Sequence, residues 1–195
     1  MVDRLPLFPL GQPLFPGIRL DLQIFEQRYL RLVRKSMRED VAFGIVATED
    51  GRELGAPLEI YDFGLAVKIV DWERLENGLL GIVVCGERRF NIQKTEVEDD
   101  GLIIAEVEWL PEFQETADYP DENLQGLEGL LRDLAQHPAL NWVGLPEQIS
   151  ASELGWRLAQ VLPVSTTKKV RLLAEPSSMQ CLAKIQILVD ELSSI

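Results

Sequence analysis

Residues 5–29 read LPLFPLGQPLFPGIRLDLQIFEQRY, and this stretch decides how the chain begins to fold. Pro6 and Pro9 remove backbone donors from an apolar run, which predicts an edge strand or an extended cover and not a central strand. A turn is indicated at Pro16-Gly17. Apolar and polar residues then alternate over residues 18–23, which is typical of a half-buried strand.

A helical pattern follows from Phe25 to about Met37. Its apolar stripe is predicted to face the core and consists of Phe25, Tyr29, Val33 and Met37, with Leu30 beside them. The other side carries a basic face made of Arg28, Arg31, Arg34, Lys35 and Arg38. Two interpretations stay open for this basic face. It is either solvated and balanced by acidic neighbours such as Glu26, Glu39 and Asp40, or a docking patch for an acidic peptide or partner protein, which forked arginine donors suit.

More strands are predicted after this helix. Residues 43–47 form a short apolar run, residues 49–52 indicate a turn, and a long β region begins near Tyr61. Asn77-Gly78 lies between two apolar runs and predicts a type I′ hairpin turn. A second hairpin is predicted with its tip at residues 99–101, where the carboxylates are expected to be solvated.

The pattern changes beyond residue 113. Residues 114–120 are polar and unperiodic, which indicates a linker, and four helical segments follow. They are predicted to begin near Asp121, after the capping-box sequence Ser150-Ala-Ser-Glu153, at Thr166 and at Ser177. We therefore expect a β domain over residues 1–113 and a helical subdomain over residues 121–195.

The charge of the chain disfavours two classes of partner. There are 32 acidic and 19 basic side chains among 195 residues, for a net charge of −13. Such a surface repels phosphate backbones and anionic lipids, so we expect no nucleic acid and no membrane as partners. The amino terminus lacks the apolar core of a signal peptide, which predicts a cytoplasmic location.

Few residues offer catalytic or metal-binding chemistry. The sequence has no Gly-Lys dipeptide, so it has no phosphate-binding loop of the usual kind. His137 is interpreted as a helix-end residue, and Cys85 and Cys181 as buried reduced thiols. Ser165 and Lys168 resemble a Ser-Lys dyad in spacing, but a helix cap at Ser165 explains them better. No cofactor and no metal site are expected.

Several segments, in order and spacing, are similar to the amino-terminal, substrate-binding domain of Lon proteases. They are residues 5–10, 14–17 and 20–29, Phe63-Gly64-Leu65-Ala66, Asn77-Gly78-Leu79-Leu80, Gly86-Glu87-Arg88-Arg89-Phe90 and residues 158–173. The resemblance implies an α+β fold. Its first part would be a curved mixed β pseudo-barrel of the PUA-like class with one packed helix, and its second part a helical bundle.

The resemblance also implies a function without catalysis. The 195 residues contain neither the ATPase module nor the Ser-Lys protease domain of Lon, so we expect a non-enzymatic module that binds a peptide or a protein partner. Binding is expected in a groove between the β part and the helices, or on the helix that begins at Phe25. Arg89 is expected to pair with a carboxylate inside the fold. A small hydrolase or ligand-binding enzyme is the alternative, and nucleic-acid binding is suggested only by the PUA-like fold class.

Overall fold

The structure is a computed structural model that describes residues 3–49, 59–113, 121–138, 140, 145 and 147–194. It is a mixed α+β fold. Six strands and one helix come first: β1 (Asp3–Leu10), β2 (Arg19–Ile24), α1 (Gln27–Glu39), β3 (Phe43–Thr48), β4 (Ile60–Arg74), β5 (Leu80–Val97) and β6 (Ile103–Trp109). Four helices follow: α2 (Asp121–Ala135), α3 (Ala151–Val161), α4 (Thr166–Leu173) and α5 (Ser178–Ser193). The predicted turn at residues 49–52 and the predicted linker at 114–120 lie wholly or largely outside the described residues.

The strands form one sheet in the order β2-β5-β4-β3-β1-β6, and β6 pairs with β5 as well. The pairings therefore return on themselves through β5, β4, β3, β1 and β6, with β2 added at the outside of β5. Among the strand pairs of the described residues, β1 and β3 are the one parallel pair. Strand β5 spans 18 residues. Its residues 80–85 pair with β2 on one side and its residues 80–91 pair with β4 on the other, while residues 90–97 pair with β6.

Strand β1 corrects the prediction of an edge strand, because it has a partner on each side. Residues Asp3–Leu7 pair with β6, whereas Leu7–Leu10 pair with β3. Pro6 thus pairs with a residue of β6 alone, and Pro9 with a residue of β3 alone. Since each half of β1 bonds mainly on one side, a missing N–H donor is tolerated in both halves.

Both hairpin turns close in the same way, and neither is of type I′. Gly78 donates to the Leu75 carbonyl at 2.8 Å, and Gly101 donates to the Glu98 carbonyl at 2.8 Å. The two glycines have φ of 81° and 83°, but Asn77 is not among the residues with positive φ. A type I′ turn needs positive φ at both central residues, so these are three-residue loops with a left-handed glycine at the end.

The interior of the strand ring is filled by a small apolar core. It consists of Leu5, Leu7, Val46, Ala66, Phe90, Ala105 and Val107. The Phe90 ring lies so close to Gly64 that a Cβ there would overlap it, and the Ile45 carbonyl oxygen would be only 2.7 Å away. Gly64 is therefore required by close packing inside the ring.

A larger core joins the strands to the helices. Trp156 of α3 stacks on Phe15 at a centroid distance of 5.8 Å and on Phe113 at 4.3 Å. The same cluster includes buried leucines from α2 and α4, for example Leu127 and Leu172. Within the described residues, no helix combines the length and the apolar character needed to cross a membrane.

Candidate functional site

Helix α1 is held on the strands by one buried face. The buried residues lie at positions i, i+3, i+4 and i+7 and are Tyr29, Leu32, Val33 and Ser36. The Tyr29 ring lies 4.3 Å from the Phe8 ring of β1. At the other end, the Ser36 hydroxyl donates to the Val41 carbonyl at 2.6 Å, and Asp40 ends the helix in a left-handed conformation.

The predicted apolar stripe is correct only in its middle. Tyr29 and Val33 are buried, but Phe25 is 67% exposed and Met37 is 40% exposed. Residues four apart drift by about 40° around a helix, so a long series of such steps leaves the buried face.

Two arginines of the basic face contact the tip of the β5–β6 hairpin. Arg28 donates to the Gly101 carbonyl at 2.9 Å and also lies 2.6 Å from the Glu26 carboxylate. Arg31 donates through Nε to Asp100 Oδ2 at 2.9 Å and contacts the Glu98 carboxylate. We call residues 98–101 the acidic tip.

The pKa values of these groups are consistent with this contact. The hydrogen bond to Glu98 raises the pKa of Arg31. The Leu102 N–H donates to Asp100 Oδ1 at 3.1 Å and, together with Arg31, holds the pKa of Asp100 below its usual range. Both side chains therefore stay charged near neutral pH.

The remaining three cations of the basic face differ in whether they have a carboxylate partner. Arg38 pairs with its neighbour Glu39 at 2.5 Å. Among the described residues, Arg34 and Lys35 have no carboxylate within 4 Å, and both are exposed. The basic face is thus partly neutralised by neighbouring carboxylates and partly left as two exposed charges.

A groove of about 470 Å³ lies beside the helix, and we call it the α1 groove. Its floor is buried and mostly apolar, and includes Leu32, Ser36, Phe43 and Leu102. Its rim carries exposed charges from Arg4, Arg31, Lys35, Glu39 and Glu98. An apolar floor with a polar rim is the usual arrangement of a surface that binds a protein segment.

Other candidate residues from the sequence do not meet at a shared site. His137 is exposed just after α2, Cys85 is half-buried on β5, and Cys181 is fully buried on α5. The expectation of two buried thiols is therefore right for Cys181 and only partly right for Cys85. In the part of the chain that the structure describes, no three His, Cys, Asp or Glu side chains come close enough to hold a metal ion.

The Ser165–Lys168 pair is a helix cap, as predicted. Ser165 Oγ accepts the Lys168 backbone N–H at 3.4 Å at the start of α4. The Lys168 ammonium points instead to Glu191 of α5, 2.8 Å away. No nucleophile is formed by this pair.

Arg89 departs from the expected carboxylate pairing. It is 4% exposed and donates to three backbone carbonyls, those of Leu173, Glu175 and Pro111, at 2.9, 2.6 and 2.6 Å. Its guanidinium lies 4.3 Å from the Phe113 ring centre and 5.2 Å from that of Trp156. Arg89 therefore links the strands to the end of α4, and its role is structural.

A family model described as the ATP-dependent protease La (LON) substrate-binding domain matches residues 4–191. The chain belongs to this family. The crystal structure of a Lon N-terminal domain protein from Xanthomonas campestris is 32% identical, covers 95% of this chain and 98% of that one, and superposes with a TM-score of 0.77.

Two longer relatives match over part of their length. The Lon protease of Cytophaga hutchinsonii is 30% identical over 134 residues, which is 68% of this chain and 16% of that protein. Protein cereblon of Danio rerio is 31% identical over 121 residues, which is 57% of this chain and 26% of cereblon. The matched region thus spans about a sixth of the length of that Lon protease and about a quarter of the length of that cereblon.

Proposed function

We propose that this chain is a non-enzymatic binding module that takes up a peptide segment or a partner protein in the α1 groove. The observation that carries the proposal is the groove itself, where apolar side chains lie beside the exposed ammonium group of Lys35. Arg34 lies next to Lys35 on the same helix, outside the lining of the groove. The description of the matching family as a substrate-binding domain supports the same function.

The chemistry of the groove favours a segment that is apolar on one side and acidic on the other. Apolar side chains would displace water from the partly exposed apolar lining of the groove, Val41 and Ile104, which stabilises a complex by roughly 25 cal/mol per Å² of apolar surface buried. Carboxylates of the same segment would pair with Arg34 and Lys35. Arg34 has no carboxylate within 4 Å among the described residues, whereas Lys35 helps to lower the pKa of Glu39 and would share its charge with the ligand.

We further propose that the closed strand pairings correspond to a PUA-like pseudo-barrel and that α2 to α5 form a helical bundle. In this division, residues 1–113 are a Lon amino-terminal-like β domain and residues 121–195 a helical subdomain. The alternative of a small hydrolase requires ionisable groups that converge in a pocket. Nothing in the described residues favours that arrangement over binding. The absence of nucleic-acid and membrane partners and the cytoplasmic location stay predictions from the sequence.

A binding assay with an unfolded acidic protein tests the proposal. Reduced and carboxymethylated lactalbumin, labelled with a fluorophore, is titrated with the full chain and followed by anisotropy. We expect saturable binding that R34Q/K35Q weakens by about threefold to tenfold, since each exposed ion pair contributes about 0.2–1 kcal/mol.

The matched control is R19Q/K94Q, which removes two exposed cations from β2 and β5 instead. Thermal unfolding of each variant verifies that the fold is retained. Absence of saturable binding by the unmodified chain overturns the proposal. An equal effect of both double variants moves the binding site away from the α1 groove.

A further inference from the structure

The acidic tip already occupies part of the basic face in the way an external ligand would. The carboxylates of Glu98 and Asp100 both lie on the guanidinium of Arg31, and the Gly101 carbonyl accepts from Arg28. Carboxylates two residues apart and one backbone carbonyl thus satisfy two neighbouring arginines on α1. Arg31 contacts Asp100 Oδ2 through both Nε and Nη2, and Nη2 also contacts Glu98, so one guanidinium serves two carboxylates.

Gly101 lies directly against Arg28. A Cβ at this position would lie 2.9 Å from Arg28 Nη1, so the end of that long side chain would have to shift. Gly101 also has the left-handed φ that the three-residue loop requires. The same residue therefore shapes the turn and leaves room for the arginine.

The acidic character of the tip is not needed to form the turn. The β4–β5 hairpin has the same turn, and there Asn77 Oδ1 accepts the Leu79 N–H at 3.0 Å just as Asp100 Oδ1 accepts the Leu102 N–H at 3.1 Å. A neutral amide therefore suffices at this position. The negative charges of Glu98 and Asp100 are explained by their contact with α1 and not by the loop.

We infer that the acidic tip is an internal competitor for the binding surface on α1, and that the ligand class it imitates is a peptide segment with two carboxylates two residues apart. This inference rests on the function proposed above and specifies its ligand and its regulation. Glu98 of the tip and Leu102, the residue that follows the tip, both line the α1 groove. A ligand that displaces the tip therefore gains Arg28 and Arg31 in addition to Arg34 and Lys35.

The competition lowers the apparent affinity of such a ligand. Arg28 and Arg31 become available only in the fraction of molecules whose tip has moved away, and the apparent dissociation constant rises in inverse proportion to that fraction. Because the ion pairs are exposed, the contact is weak enough for a ligand to replace.

The test compares the full chain with its E98Q/D100N variant. The probe is the fluorescein-labelled octapeptide TEVEDDGL, a copy of residues 95–102, with TEVQDNGL, which lacks the carboxylates of positions 98 and 100, as the control peptide. Asn at position 100 keeps the turn, as Asn77 shows in the other hairpin. We expect the variant to bind the acidic peptide about threefold to tenfold more tightly than the unmodified chain. Adding R31Q to the variant should remove this gain.

The control variant is E73Q/E76Q, which removes two exposed charges from the other hairpin and corrects for the change in net charge. Unfolding midpoints of all variants are measured alongside. Equal peptide affinity of the unmodified chain and E98Q/D100N overturns the competition while leaving the proposed function in place. Binding of the unfolded lactalbumin without binding of the acidic peptide also overturns the inference alone. Failure to bind either probe overturns the proposed function, and the inference with it.

Discussion

Two buried cations in this fold are satisfied by carbonyl groups at helix ends. Arg89 donates to Leu173 and Glu175 at the end of α4, and Lys169 donates to the Gln160 carbonyl at the end of α3, at 2.8 Å. Burial lowers the pKa of both side chains. The carboxyl end of a helix carries partial negative charge, so these positions favour cations even without a carboxylate. This explains why the expectation of an acidic partner for Arg89 is wrong.

Replacing Arg89 should destabilise the fold strongly. In R89M the carbonyls of Leu173, Glu175 and Pro111 lose their donors inside the protein, and we expect a loss of about 2–4 kcal/mol in the free energy of unfolding. Equilibrium urea unfolding measures it. The control is R88M, since exposed Arg88 mainly contacts the Trp109 ring at 4.8 Å, an interaction of about 0.5–1 kcal/mol. Equal losses for the two variants would contradict the structural role of Arg89.

The two thiols should differ in reactivity. Burial raises the pKa of Cys181 to about 12, whereas Cys85 is only half-buried. At pH 8 only about one Cys181 in ten thousand is a thiolate, and the thiolate is the reactive form. Iodoacetamide should therefore modify one thiol per folded chain and two in denaturant. C85A should leave the folded chain nearly unmodified, and fast modification of folded C85A at pH 8 would contradict the prediction.

At the scale of elements, local patterns in the sequence are sufficient to predict where a helix begins. Ser150 and Glu153 form the predicted capping box, with each side chain accepting the other residue's backbone N–H. Such a cap depends on residues within one turn. The position of β1 is different, because its pairing depends on strands about 40 and 100 residues further along the chain, beyond the reach of a local pattern. A proline indicates only that one backbone N–H donor is missing. It does not indicate how many neighbouring strands pair with its own strand.

The candidate site is also only partly predictable from local sequence patterns. The five cations of α1 are evident from helical spacing, but their contact with the acidic tip joins residues as far as 73 positions apart, Arg28 and Gly101. Nothing in either segment alone specifies that contact. The hairpin tip was predicted as solvated because acidic residues in turns usually are. Charge complementarity between the two segments was the one available signal.

Glycine substitutions should separate the demands of a turn from those of a helix. Gly78 has φ of 81°, so G78A forces a left-handed alanine, and we expect a loss of about 1 kcal/mol in unfolding free energy. Gly126 is exposed in α2 with open space at its Cβ, so G126A should raise stability by about 0.5–1 kcal/mol. Thermal and urea unfolding measure both. A change of the same sign in the two variants would contradict these assignments.

At the scale of the whole molecule, the two apolar cores differ in which parts of the chain contribute to them. The core inside the strand ring draws only on residues of the first part, from Leu5 to Val107. The larger core combines strand residues such as Val84 with helical residues such as Leu158 and Leu182. Trp156 lies where the parts meet, and Arg89 is beside it. The strands and helices therefore share apolar burial, although the sequence divides them cleanly in composition.

This shared burial predicts that the chain unfolds as one cooperative unit. Loss of α3 would expose Phe15 and Phe113, which stack on Trp156, and would leave Arg89 without much of its covering. W156A should therefore lower the unfolding free energy by about 3–5 kcal/mol. The unfolding midpoints of the strands and the helices should shift together. Far-UV circular dichroism at 222 nm follows the helices, and hydrogen exchange of β5 and β6 amides follows the ring. W72A is the control, because Trp72 is 59% exposed and its removal should leave both midpoints nearly unchanged. Separate transitions in W156A, with the ring surviving after the helices melt, would show that the ring core alone sustains the first part of the fold.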